Sequence, residues 1–287
     1  MSRWLITGAA GMLGQDLVSA LSAAGEDAAG LSRHDLDITI GPAVREAVRE
    51  HRPGTVVNCA AWTAVDDAEE HEDQARQVNG GGAEHLAAAC ARSGARLIHI
   101  STDYVFSGQA REPYAEDVPA RPRTAYGRTK LAGEQAVLKW LPQHGYVVRT
   151  GWLYGAHGPN FARTMIRLER EQESVAVVDD QRGQPTWAAD VAWQIITLGR
   201  AQPPGGIYHA TNSGETTWHG FAREIFRLLG TDPRRVRRTT SDRLTRAARR
   251  PRYSVLGHDA WARAGLEPPG PWQAALERAL PALTAGD

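Results

Sequence analysis

The sequence predicts an α/β fold: a doubly wound parallel sheet carrying a smaller C-terminal α/β lobe. Three observations predict it. Short apolar strands alternate with helical patterns five times over residues 3–154, the rhythm of a parallel sheet covered on both faces. A turn with glycines in Gly-x-x-Gly-x-x-Gly spacing, Gly8, Gly11 and Gly14, joins the first strand to the first helix. After Gly155 the rhythm breaks into shorter, mixed pieces. The chain has 287 residues, enough for one large domain or two modest ones sharing an interface.

Residues 3–7 read as a strand, followed by the glycine turn and a helical pattern over 12–24. Strand, glycine turn and helix in this order form the Rossmann-type dinucleotide-binding signature. The glycines let the backbone turn tightly and approach a pyrophosphate, and the helix N-terminus offers it free N–H groups and a favourable dipole. The second strand, near 27–31, ends in Ser32-Arg33-His34. An acid in this region usually holds the ribose hydroxyls of NAD, while a base accommodates the 2′-phosphate of NADP. Arg33 therefore leans towards NADPH, unless it is a solvated loop arginine, and Asp35 and Asp37 close behind leave NADH open. A helix over 40–51 is ended by Pro53-Gly54. Residues 55–60 form a largely apolar strand, and Ala60 and Ala61 leave its C-terminal edge, where open α/β sheets bind ligands. An acidic stretch, 66–73, precedes a long Ala-rich helix over 74–93.

The strand over 96–101 delivers Ser101-Thr102-Asp103-Tyr104-Val105-Phe106 to the same edge. Hydroxyls and a carboxylate there suit substrate contact, though Thr102 alone would also serve as a strand-end cap. Tyr126 and Lys130 lie four residues apart in a helical segment, 125–141. Four residues is about one turn, which brings both side chains to one face roughly 6 Å apart. A lysine there favours the phenolate and eases proton transfer at neutral pH, making Tyr126 a candidate proton donor and Lys130 its tuner. The plainer alternative is a chance surface pair. Residues 145–154 form the fifth strand, with Arg149, Trp152 and Tyr154 near its outer end.

Beyond it come a helix over 160–171, a short strand over 175–178, a polar turn over 179–186 and a helix over 187–199. A Pro/Gly linker, a strand over 206–210 and a helix capped by Thr216 or Thr217 follow, and helices over 259–264 and 272–280 close the lobe. Nine arginines crowd residues 234–252. Such a run is a solvated face, or one or two members recognise a substrate diphosphate through bidentate guanidinium contacts.

Formal net charge is zero, which removes any global attraction to nucleic acid or membrane. No apolar run approaches the roughly 18 residues of a membrane span. The N-terminus enters a strand at once, without a signal-peptide pattern. Cys59 and Cys90, the two cysteines, read as small buried thiols compatible with a reducing cytoplasm, the expected location.

Taken together, the motifs resemble those of the extended short-chain dehydrogenases/reductases, and within them the dTDP-4-dehydrorhamnose reductase family. The resemblance rests on Thr7-Gly-Ala-Ala-Gly-Met-Leu-Gly14, Asn58-Cys-Ala-Ala-Trp-Thr-Ala-Val-Asp66, Ser101 to Phe106, Tyr126-Gly-Arg-Thr-Lys-Leu-Ala-Gly-Glu134, Arg149-Thr-Gly-Trp-Leu-Tyr154 and Asp180-Gln-Arg-Gly-Gln-Pro-Thr186. It implies that Thr102, Tyr126 and Lys130 are catalytic. It implies that Gly11, Met12 and Leu13 hold a pyrophosphate alongside Gly8 and Gly14, that Asp37 and Ile38 meet the adenine side, and that Ala60, Ala61 and Thr63 run along the cofactor. Thr102, Asp103 and Trp152 would meet the sugar, with Val65 and Tyr104 nearby. The implied substrate is a dTDP-4-keto-6-deoxy sugar, the implied cofactor NADPH or NADH, and a homodimer is possible. Some members hold Mg between acidic residues. Asp16 matches one such position but Ala189, beside Asp190, falls at another, so no metal is expected. A sugar-nucleotide epimerase with tightly held NAD, or a non-catalytic NADP-binding regulatory subunit, would share the fold. The expected domain division is 1–155 with about 181–208 for the nucleotide, and about 156–180 with 209–287 for the substrate.

Overall fold

In the computed structural model, which describes residues 3–285, a six-stranded sheet forms the centre. Its strands are β1 (Trp4–Thr7), β2 (Ala28–Leu31), β3 (Thr55–Asn58), β4 (Arg96–Thr102), β5 (Gly145–Thr150) and β6 (Gly206–His209). Their order across the sheet is β6-β5-β4-β3-β1-β2, every pairing parallel. The chain leaves β1 for β2 on one side and returns to β3 on the other, so a topological switch opens between β1 and β3. Ligands bind beyond the C-terminal ends of strands at such a point.

Both faces of the sheet are buried, and adjacent residues of one strand serve opposite faces. Trp4, Ile6, Val57, Ile98 and Val148 join one core with Leu13, Leu17 and Leu21 of the Met12–Ala23 helix and Ile195 of the Ala188–Ala201 helix. Leu5, Val56, Leu97 and Val147 join the other with Val44, Val48 and Leu86. Full burial of each such side chain contributes about 1.5–3 kcal/mol, which is why the strands read as continuous apolar runs. A third core, with Met165, Ile166, Phe221, Phe226 and Leu276, belongs to the C-terminal lobe, built around the parallel pair Val175–Val178 and Val236–Thr239. None of the helices among the described residues is long and apolar enough to cross a membrane.

The structure departs from the expected elements in three places. The long helix expected over 74–93 is interrupted: a helix over Glu72–Arg76 passes through a π-helical turn, Gln77–Gly82, into a helix over Ala83–Ser93. The wider turn brings buried Asn79 inward, where it accepts from Trp62 N at 2.9 Å and donates to Thr129 Oγ1 at 3.0 Å. The strand expected over 145–154 breaks at Trp152, whose φ of 50° is left-handed and resumes as the separate piece Leu153–Tyr154. The last helix runs past Leu280, spanning Trp272–Thr284 with Pro281 inside it.

Candidate active site

Every residue for which the family resemblance implies a catalytic, cofactor or substrate role lines, together with Arg33, one cavity of about 600 Å³ at the C-terminal edge of the sheet. A cavity of that size accommodates a small-molecule ligand.

One end is a cradle for a dinucleotide. Gly8 has φ of +70°, and a Cβ on it would lie 2.5 Å from Ala60 N. A Cβ on Gly14 would lie 2.3 Å from Gly8 O. Both glycines are therefore obligatory, one for conformation and approach, the other for approach alone. Gly11 caps the Met12–Ala23 helix without a side chain. The N–H groups of Met12, Leu13 and Gly14 consequently have no partner among the described residues, and all three residues line the cavity. Free N–H groups behind a backbone-only turn fit a pyrophosphate. Asp37 accepts from Thr39 N and Oγ1 at 2.9 and 2.7 Å, which holds its carboxyl below the usual range. Asp35 is committed in the same way to Ser32 and does not line the cavity, whereas exposed Arg33 does. Ile38 is buried, and Ala60, Ala61 and Thr63 form the wall that follows β3.

The chemistry-bearing groups occupy the centre. Thr124 caps the Ala125–Trp140 helix by accepting from Gly127 N at 3.1 Å, which places Tyr126 and Lys130 in its first two turns. Burial pushes the Tyr126 phenol up to about 12; the Thr102 hydroxyl hydrogen-bonded to it acts in the opposite direction, and Asp103 adds to the rise. Burial also brings Lys130 down to about 8, with Glu134 and Cys59 opposing. Lys130 Nζ donates to Ile100 O at 2.6 Å. At neutral pH the phenol is a protonated acid, the form a proton donor needs. Thr102 lines the cavity, and it also caps the following turn by accepting from Tyr104 N at 3.2 Å.

Asp103, Tyr104, Val65 and Trp152 form the far end. Burial raises the Asp103 carboxyl to about 6 against the Ser254 and Thr102 hydroxyls, and Thr102 Oγ1 donates to it at 3.0 Å. The Tyr104 ring meets Tyr126 edge-on at 5.7 Å. Trp152 lies flat on Trp218, ring centroids 3.5 Å apart at 6°, and a Cβ on Gly183 would fall 2.5 Å from its indole. Gly183→Ala is therefore expected to push Trp152 into the cavity. Overpacking of this kind costs about 1–3 kcal/mol, and steady-state kinetics should show KM for the sugar substrate rising severalfold with little change in cofactor affinity.

The sequence reading missed several residues that hold these groups. Trp218 is 66 positions from Trp152, and nothing in its spacing announces the stack. Glu134 and Arg149 form a buried bidentate ion pair at 2.9 and 2.7 Å behind the site. The arginine-rich segment is largely drawn into ion pairs. Arg234 meets Asp232, Arg235 meets Glu169, Arg238 meets Asp179, and both Arg246 and Arg250 meet Asp66. Cys90 is buried as expected; Cys59 is partly buried, packed against the first core while also lining the cavity.

A family model described as "RmlD substrate binding domain" matches residues 2–285. A dTDP-4-dehydrorhamnose reductase of Streptomyces griseus is 59% identical over 285 residues, covering 98% of this chain and 94% of its own. A dTDP-4-keto-6-deoxy-D-glucose reductase of Streptomyces niveus is 56% identical over 285 residues, covering 99% of each. Among solved structures, dTDP-4-dehydrorhamnose reductase from Bacillus anthracis str. Ames in complex with NADP superposes with a TM-score of 0.93 at 40% identity, covering 97% of this chain and 98% of that one.

Proposed function

The chain belongs to the RmlD family of dTDP-4-dehydrorhamnose reductases, and from that premise we propose that it reduces the 4-keto group of a dTDP-4-keto-6-deoxyhexose with NADPH. The substrate is dTDP-4-dehydro-L-rhamnose, giving dTDP-L-rhamnose, or a close analogue. The observation that carries this reading is the meeting of Tyr126, Thr102 and Lys130 with a backbone cradle for a dinucleotide in one cavity.

Bound NADPH supplies the hydride for the ketone carbon; the chain supplies position and a proton. Met12 and Leu13 would hold the pyrophosphate, Asp37 and Ile38 the adenine side, Arg33 the 2′-phosphate and Lys130 the nicotinamide ribose. The Thr102 and Tyr126 hydroxyls hold the carbonyl oxygen, and Tyr126 passes its proton to the developing alkoxide. Trp152 offers a flat apolar wall to the sugar ring. Thr102 and Tyr126 already line the same cavity, so little reorientation is needed at the moment of reaction.

The deciding assay generates the dTDP-4-keto-6-deoxy sugar with and without a 3,5-epimerase and follows NADPH oxidation, with NMR to assign the product alcohol. NADPH consumption matched by a new 4-hydroxyl is the expected result. Isomerisation of a sugar nucleotide without net NADPH use would instead make the chain an epimerase. Arg33→Ala should lower kcat/KM for NADPH about tenfold through the lost charge-assisted contact and leave NADH nearly unchanged; equal losses for both would remove the 2′-phosphate role.

A further inference from the structure

Behind Lys130 lies a closed line of side chains that the mechanism above does not use. Thr7 Oγ1 donates to Asn58 Oδ1 at 2.7 Å, and Ala60 N donates to the same oxygen at 3.1 Å. The backbone donor fixes which end of the Asn58 amide is oxygen. Asn58 Nδ2 must then be the donor across its 3.0 Å contact with His99 Nδ1. His99 is fully buried, and its imidazolium is strongly disfavoured by burial and by Lys130. A neutral ring that accepts at Nδ1 carries its proton on Nε2, and Nε2 lies 3.4 Å from Lys130 Nζ. The helix approaches this closely because residue 133 is glycine: a Cβ there would be 3.0 Å from His99 Nε2 and 2.3 Å from Asn79 O.

We propose that His99 is a positioning residue for the reaction: the fixed amide of Asn58 turns its Nε2–H onto Lys130, so that the lysine is poised to give a proton into the cavity. The inference rests on the reductase reading. An ammonium at Lys130 has three N–H bonds. One goes to Ile100 O, one is available to the cavity, and the third confronts an N–H. An amine has two N–H bonds for the first two partners and a lone pair that receives Nε2–H. When the N–H bond on Nζ that faces the cavity breaks and its proton passes to an oxygen there, a turn about Cε–Nζ brings the electron pair left on nitrogen onto the waiting Nε2–H and the remaining N–H to the cavity. A proton from solvent later restores the ammonium. The other ionisable groups facing Lys130 are Cys59 from the end of β3, and Tyr126 and Glu134 from its own helix. Glu134 is held by Arg149 of β5, and Asp103 acts on Tyr126.

Two measurements test this. In uniformly ¹⁵N-labelled protein without ligands, two-bond ¹H–¹⁵N spectra should show His99, assigned by nuclear Overhauser contacts to its neighbours Asn58 and Gly133, as the neutral Nε2–H form from pH 5 to 9. An Nδ1–H ring, or a ring that titrates in that range, overturns the proposal whether or not the chain reduces sugars. The second compares kcat–pH profiles of His99→Gln, whose amide oxygen can face Lys130, and His99→Asn, which keeps an acceptor for Asn58 but withdraws from Lys130. The alkaline limb should move up by about one pH unit in His99→Gln and less in His99→Asn, with kcat at pH 7 falling about tenfold and KM for both reactants within about twofold. An alkaline limb unmoved in both variants, or losses in KM alone, overturns it. Should the variants fail to fold, the wild-type ring spectrum still decides.

Discussion

Tyr126→Phe is expected to lower kcat by about 10²–10⁴-fold, the usual loss for a positioned general acid. The substitution removes one hydroxyl and keeps the ring, so the edge-on packing on Tyr104 at 5.7 Å survives. The cofactor cradle is formed by other residues, chiefly Gly8, Gly14, Met12 and Leu13. The dissociation constant for NADPH, read by fluorescence titration, should therefore stay within a few-fold of wild type while single-turnover reduction collapses. Comparable losses in binding and turnover would make Tyr126 a structural or cofactor-holding group instead. Thr102→Val is the natural companion. It leaves the phenol in place but removes the hydroxyl that opposes the burial-driven rise to about 12, and a smaller loss is expected from it.

The largest effect on stability is expected from breaking the Glu134–Arg149 pair. Both side chains are almost fully enclosed, 2% and 3% exposed. Arg149 grips both carboxylate oxygens and lies over the Phe106 ring at 4.8 Å, and Ser101 donates to Glu134 at 2.5 Å. Glu134→Gln leaves a guanidinium buried without its charge partner, which costs about 3–5 kcal/mol. For a chain of this size that corresponds to a fall in Tm on the order of ten degrees, measurable by calorimetry. The double change Glu134→Leu with Arg149→Met removes both charges, and its Tm should lie above that of the single variant. If the single variant melts with wild type, the pair does not carry the stability assigned to it. Activity should suffer too. Glu134 stands one turn beyond Lys130, and Ser101 directly precedes Thr102, so the pair ties the catalytic helix to β4 and β5.

The same two regions show where sequence reading worked and where it stopped. Gly8 and Gly14 were legible because a tight turn and a close backbone approach leave room for hydrogen alone, and that constraint is written in residue type. Tyr126 and Lys130 were legible because helical periodicity puts positions four apart on one face. What surrounds Lys130 there was not. Its partners, Ile100 O and His99, come from a strand some thirty residues earlier, and burial rather than spacing sets its proton affinity. The π-helical turn at Gln77–Gly82 was hidden for a similar reason: the residues there suit an ordinary helix, and the contact of Asn79 with Trp62 and Thr129 supports the wider turn.

By itself the sequence determined the parallel strand–helix alternation, the glycine turn and the choice of candidate side chains, because local periodicity and the stereochemistry of glycine act over a few residues. Only the tertiary structure decided the strand order that opens the cavity between β1 and β3, the stacking of Trp152 on Trp218 and the enclosure of Glu134, Arg149, His99 and Lys130. Those depend on which distant surfaces exclude water together, and desolvation belongs to an assembled environment that no single stretch of chain encodes.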